Sequence, residues 1–139
     1  MKNAAIIYNS KTGITKKYAE EIGSELKFMG VEVNILPIDE YTNEVLNEVD
    51  YLFLGCWTSG LMFFYQHPEK KWKEFAEKLP NPLKPKIALF TTYKLLTGSM
   101  FKKMRVQING GRDSFLTEFK SRNGKLSDGD KEVLADFIN

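Results

Sequence analysis

Cysteine and histidine occur once each, as Cys56 and His67, and that scarcity excludes several classes of protein. One cysteine cannot close an internal disulfide, which fits a cytoplasmic chain kept reduced. One thiol and one imidazole cannot by themselves fill a four-ligand structural zinc site. No apolar run approaches the roughly 20 residues that span a bilayer, so no membrane insertion is expected. The amino-terminal end has one Lys before an apolar stretch, with neither a secretion signal nor a cleavage site. Repeats, low-complexity tracts and dividing linkers are lacking. The 139 residues suit a single domain, 1–139. No nucleic-acid motif is present, and a pI of about 8.5 is not strongly basic, so no nucleic-acid partner is expected.

Net charge is also small, +2, but it is unevenly placed. Residues 1–50 carry 5 basic and 9 acidic side chains, and residues 51–139 carry 15 and 9. Between Glu77 and Asp113 stand eight bases and no acid. Two readings are open: solvated lysines on separate helix faces, or a positive region beside an anionic ligand or acidic partner.

What is present is an alternation of strand and helix signals. Ala4–Tyr8 is a continuous apolar run, the mark of a strand buried on both faces. Ile14, Tyr18, Ile22 and Leu26 then recur every four residues on one helix face, with Gly30 as the stop. Val31–Leu36 reads as a strand ended by Pro37, and 42–49 as a short helix. Tyr51–Leu54 is a third strand, Gly55–Gly60 a loop of mostly small residues, and Pro68 a first helical residue capped by His67. Trp72, Phe75, Ala76 and Leu79 form the apolar stripe of that helix, which the prolines at 80, 82 and 85 end. Ile87–Phe90 is a fourth strand, Thr91–Gly98 a loop, 99–108 a helix and Ser114–Lys120 a fifth strand. Ser127 with Asp130 resembles a capping box that opens a last helix. This order predicts an α/β protein whose parallel sheet is covered by helices on both faces.

In such sheets ligands bind beyond the carboxyl ends of the strands, where the strand order reverses. Loops 9–15, 55–66 and 91–98 should meet there. The first reads S-x-T-G-x-T, with Ser10, Thr12, Gly13 and Thr15 in those places. It joins a strand directly to a helix, whose N-terminal amides and dipole attract an anion. A simple N-cap needs one hydroxyl, whereas this loop offers three around a glycine, so a bound phosphate is expected. Lys11-Thr12 lacks the glycines of a Walker loop, and no G-x-G-x-x-G follows any strand. Tyr8-Asn9 stands where a receiver domain has acids. No Arg follows Cys56 as a cysteine phosphatase requires, so the thiol reads as a small buried residue.

With these residues in view, the chain resembles the flavodoxin family. Ile6–Thr15 looks like the family's FMN-phosphate signature, Leu54-Gly55-Cys56 like the entry to its first flavin loop, and Ala88–Tyr93 like its fourth strand and second flavin loop. The resemblance implies a three-layer doubly wound sandwich with a five-stranded parallel sheet of order 2-1-3-4-5. It also implies FMN as cofactor and electron transfer as the function. Carried over by position, the cofactor residues are Ser10, Lys11, Thr12, Gly13, Ile14 and Thr15 at the phosphate. Cys56, Trp57, Thr58, Ser59 and Gly60 follow in the first flavin loop, and Thr91, Thr92, Tyr93, Lys94 and Gly98 in the second. Trp57 and Tyr93 are the candidates to pack on the isoalloxazine ring, against the alternative that each is simply core. The Gly60–Leu61 peptide matches one that flips on reduction in the family.

The departures from the family matter too. Gly55–His67 holds no acid, and Lys94 lies in the other loop, which implies a milder reductant than acidic flavodoxins. The apolar run Leu61–Tyr65 opens a helix or forms a docking patch. No general acid–base pair is identifiable, which favours a carrier working between a flavin reductase and another redox protein, as a monomer or weak homodimer. The alternatives are an FMN-dependent NAD(P)H or quinone reductase and a non-redox module with this fold.

Overall fold

The backbone alternates strand and helix from its first residues, and a computed structural model describes it over residues 1–61, 64–109 and 116–139. The elements are β1 (Asn3–Asn9), α1 (Ile14–Phe28), β2 (Glu32–Pro37), β3 (Tyr51–Leu61), β4 (Phe64–Pro68), α2 (Lys70–Glu77), β5 (Lys86–Thr92), α3 (Met100–Asn109), β6 (Thr117–Ser121) and α4 (Asp128–Ile138). Five strands pair in parallel in the order β2-β1-β3-β5-β6, the order the resemblance implied. The sixth, β4, pairs antiparallel with the far end of β3, which the sequence reading had not expected.

Alternation along the strands divides the core. Ala4, Ile6 and Tyr8 of β1 pack with Tyr18, Ile22, Leu26, Leu134 and Phe137, so α1 and α4 cover one face. Ala5 and Ile7 face the other way, toward Trp72, Phe75, Met100 and Met104 of α2 and α3. Each central strand therefore buries both of its faces, and its sequence is apolar without interruption. None of the described helices is long and apolar enough to cross a membrane.

Gly30 ends α1 as expected. Its φ is +86°, and the N–H groups of Gly30 and Val31 return to the carbonyls of Lys27 and Leu26, the paired bonds of a Schellman cap. Ser127 caps α4, its Oγ accepting the Asp130 N–H at 3.0 Å. Asp130 turns its carboxylate instead to Tyr18, whose hydroxyl donates to it at 2.8 Å and ties α4 to α1. Two other expectations fail. Residues 42–49 form only a 3-10 turn, Asn43–Leu46. Pro68 closes β4 opposite Thr58 rather than opening α2, and Glu69, not His67, sits at the helix N-cap. The expected fifth strand begins at Thr117, its proposed start at Ser114 lying outside the described residues.

The Tyr18–Asp130 contact makes stability depend on pH. Burial, reinforced by the adjacent acid, pushes the Tyr18 phenol well above its ordinary value of 10.0. The folded chain keeps the proton where the unfolded chain releases it. The stabilisation is thus complete below pH about 10 and is lost as pH climbs from there toward the raised value. Tyr18→Phe is expected to cost about 1 kcal/mol at neutral pH and to flatten the fall in melting temperature above pH 10. Thermal melts of both proteins from pH 7 to 11 check this.

Candidate functional site

The carboxyl ends of β1, β3 and β5 lie side by side, with Asn9 opposite Cys56, Cys56 opposite Thr91 and Trp57 opposite Thr92. The parallel register thus brings the three predicted loops to one end of the sheet.

At the end of β1 the chain turns through Ser10–Gly13 into α1. Gly13 holds the N-cap at φ +94°, where L side chains are strained and glycine is not. Helix geometry leaves four N–H groups here without a helical acceptor. Two of them, from Gly13 and Lys16, go to Ser10 Oγ at 3.0 and 3.3 Å. Among the described residues no acceptor takes those of Ile14 and Thr15. Lys11, Thr12, Gly13 and Ile14 are exposed. The three hydroxyls of the motif have separate positions: Ser10 inside the turn, Thr12 in the open, and Thr15 buried with Oγ1 2.6 Å from Thr92 Oγ1. That last contact ties the helix start to the end of β5.

The segment from Gly55 was expected to be a loop and is the continuation of β3. Cys56 is fully buried, and burial pushes its thiol up to about 12. Thr91 is buried as well, its hydroxyl bound to Cys56 O at 2.5 Å and paired with Thr58 Oγ1 at 2.8 Å. Both side chains are therefore held inside the sheet seam rather than on its surface. Ser59 pairs with His67, and Leu61 with Phe64. Between those pairs one residue of β3, Gly60, faces two of β4, so the bulge falls where the flipping peptide was expected. The described residues of the apolar run, Leu61, Phe64 and Tyr65, lie in β3 and β4 rather than at the start of a helix. Its members Met62 and Phe63 lie outside the described residues.

Trp57 is half-buried, and its indole N–H donates to Glu69 Oε2 at 3.1 Å. Asn9 Nδ2 donates to the same oxygen at 2.6 Å. Lys11 Nζ lies 4.8 Å from the centre of the Trp57 ring. Asn9, Ser10, Lys11, Trp57, Glu69 and Lys71 line a hollow of about 430 Å³. Glu69 and Asn9 were not among the predicted residues. An acid-free stretch from Gly55 to His67 ends two positions short of the acid that the fold brings to Trp57.

In the last loop Tyr93 is half-buried, with Lys120 Nζ and Arg122 Cζ at 5.9 and 5.5 Å from its ring centre. Lys94 is exposed. Gly98 has φ +51° and lies so close to Gln66 that a Cβ there would come 2.6 Å from Gln66 Oε1. The loop thus folds back onto β4 at its far end.

An open helix start, an aromatic residue beside it and a doubly wound parallel sheet define an α/β protein with an anion-binding type of strand-to-helix turn. Residues 5–138 match the family model of the flavodoxin domain. A flavodoxin of Clostridium beijerinckii is 32% identical over 107 residues, 76% of this chain and 75% of its own. An NADPH-dependent diflavin oxidoreductase of Debaryomyces hansenii is 29% identical over 94 residues, which are 66% of this chain but only 15% of that enzyme. Among solved structures, a short-chain flavodoxin associated with a bacterial microcompartment superposes with a TM-score of 0.74 at 17% identity, covering 99% of this chain and 94% of the other. The two-electron reduced flavodoxin of Megasphaera elsdenii gives 0.69 at 22% identity, covering 96% of each chain. The chain belongs to the flavodoxin family, whose members are FMN-binding electron-transfer proteins. The residues present fit that cofactor: two first-turn amides without an acceptor among the described residues open beside a hollow walled by Trp57.

Proposed function

We propose that this chain is an electron carrier that seats FMN across the carboxyl ends of β1, β3 and β5 and works between a flavin reductase and an oxidised redox protein. The observation that supports it most is the start of α1, with the Ile14 and Thr15 amides unclaimed beside the exposed Thr12 hydroxyl. In this reading Ser10, Lys11, Thr12, Gly13, Ile14 and Thr15 hold the phosphate by amide and hydroxyl donation and by the helix dipole. Cys56 to Gly60 and Thr91 to Lys94, with Gly98, shape the ring site. Trp57 supplies an aromatic face, and Glu69 accepts the hydrogen bond that holds its indole. When bound, FMN supplies the electron chemistry, and the protein supplies orientation and electrostatics. A chain that stays colourless and takes up no FMN in a calorimeter would overturn the proposal.

Two expected results follow from the ring site. Trp57→Ala should weaken FMN binding by about tenfold, since an aromatic stack is worth roughly 0.5–1.5 kcal/mol beyond buried area. Fluorescence titration of both proteins with FMN reads this. The cations about Tyr93 favour the reduced, anionic flavin, and Glu69 opposes them from the Trp57 side. We expect a potential above that of acidic flavodoxins, and a potentiometric titration that finds one as low would refute this balance.

A further inference from the structure

The bases of the second half of the chain are not spread evenly. On edge strand β6, Phe119 and Ser121 turn inward, while Glu118, Lys120 and the following Arg122 are exposed on the outer side. Lys120 and Arg122 reach the Tyr93 ring, and Arg122 Nη2 donates to Leu95 O at 3.2 Å, holding the guanidinium against the loop after β5. Lys120 also lines a hollow of about 330 Å³ with Lys102 and Arg105 of α3. The one acid in that hollow, Glu118, is bound by Arg105. With Lys94 beside Tyr93, the strip holds, among the described residues, five cations against one acid that is already paired. It therefore carries +4 in a chain whose total is +2, so the remainder is net negative. Other lysines of the same stretch are engaged elsewhere: Lys86 on Phe137 O and Lys103 on Gln66 O.

We propose that this strip, from Tyr93 across β6 to α3, is the docking face for an acidic redox protein. The inference rests on the function proposed above, because it sets the strip at the edge of the ring site. Its cations come from three separate elements, the loop after β5, α3 and β6, a spread suited to a protein face. They are rich in Arg and flanked by Tyr, the residue types that anchor interfaces. Complementary charge steers such encounters, and salt screens them.

The test titrates two probes, an acidic plant-type [2Fe–2S] ferredoxin and a basic cytochrome c, with and without FMN on the chain. The Debye length falls from about 30 Å at 0.01 M salt to about 8 Å at 0.15 M. Ferredoxin binding should weaken at least tenfold over that range and should exceed cytochrome binding at low salt. Lys120→Glu with Arg122→Glu should weaken it tenfold or more at 0.01 M salt, and Lys102→Glu, farther from Tyr93, should weaken it less but in the same direction. Tighter binding of cytochrome c, or ferredoxin binding that neither salt nor these variants alter, would overturn the proposal. So would a strip that binds 2′,5′-ADP and not ferredoxin, which would make it a nucleotide site. A chain that refuses FMN counts against the proposed function, while ferredoxin binding to that same chain still decides the strip.

Discussion

Ser10→Asp is expected to lower FMN affinity by about 100-fold and to leave the melting temperature of the FMN-free chain nearly unchanged. The two halves of that result have separate causes. In the fold, Ser10 accepts the N–H groups of Gly13 and Lys16 through Oγ. Asp is as good an acceptor at a helix start, and its charge suits the positive end of the dipole. Toward FMN the same carboxylate is a like charge beside the proposed phosphate, which carries nearly two negative charges. Such a pair at ~4 Å costs about 1 kcal/mol in water and up to about 4 in a partly screened site. The loop is exposed from Lys11 to Ile14, so a total of about 3 kcal/mol is reasonable, and that is about two powers of ten. The defect should shrink as salt is added. Ser10→Ala, which removes a cap and adds no charge, should lose less than tenfold. Unchanged FMN affinity in the Asp variant would move the phosphate away from this loop and remove the main support for the proposed function.

The parts of the molecule that rest on local pattern were legible in its sequence. Period-four apolar residues mark α1, Gly30 marks its end, and uninterrupted apolar runs mark β1, β3 and β5, because each obeys a rule that needs no distant partner. The hairpin did not announce itself, for a physical reason. Pro68 fits the first turn of a helix and the end of an edge strand equally well, since both tolerate φ near −65° and a missing amide hydrogen. Only the pairing of Thr58 with Pro68 and of Ser59 with His67 decides between them, and that is a tertiary fact. The site shows the same division. The S-x-T-G-x-T motif marks the turn into α1, yet its three hydroxyls do not stand together as the spacing suggested, because Thr15 turns inward to Thr92, 77 residues away. Glu69 was out of reach for the same reason: its bond from Asn9 spans 60 residues. Charge asymmetry along the chain was visible. That its bases meet beside Tyr93 depends on β6 lying next to β5.

Gly55→Val is expected to lower the melting temperature by about 10 °C or more, although it adds only apolar atoms to an apolar strand. Gly55 lies in the middle of the sheet, opposite Tyr8 of β1 on one side and Phe90 of β5 on the other. The Phe90 ring occupies the space that a side chain at 55 would need, so that a Cβ would overlap its Cδ2, Cε2 and Cζ atoms. The ring has little room to retreat. It is fully buried and meets Tyr18 edge-on at 6.0 Å between centres, and Tyr18 is itself held by Asp130. Overpacking of this kind costs about 1–3 kcal/mol per site and more for a branched side chain. At this chain length each kcal/mol corresponds to roughly 3–4 °C. If the ring is the obstacle, Phe90→Leu in the Gly55→Val background should recover part of the loss even though Phe90→Leu alone destabilises. That non-additivity is the signature of two groups competing for one volume. The same clash would shift the strand that carries Cys56 and Trp57, so FMN affinity should fall together with stability. A variant that melts with the parent would show that the ring turns aside freely, and the seam between β3 and β5 would then not be what holds Trp57 in place.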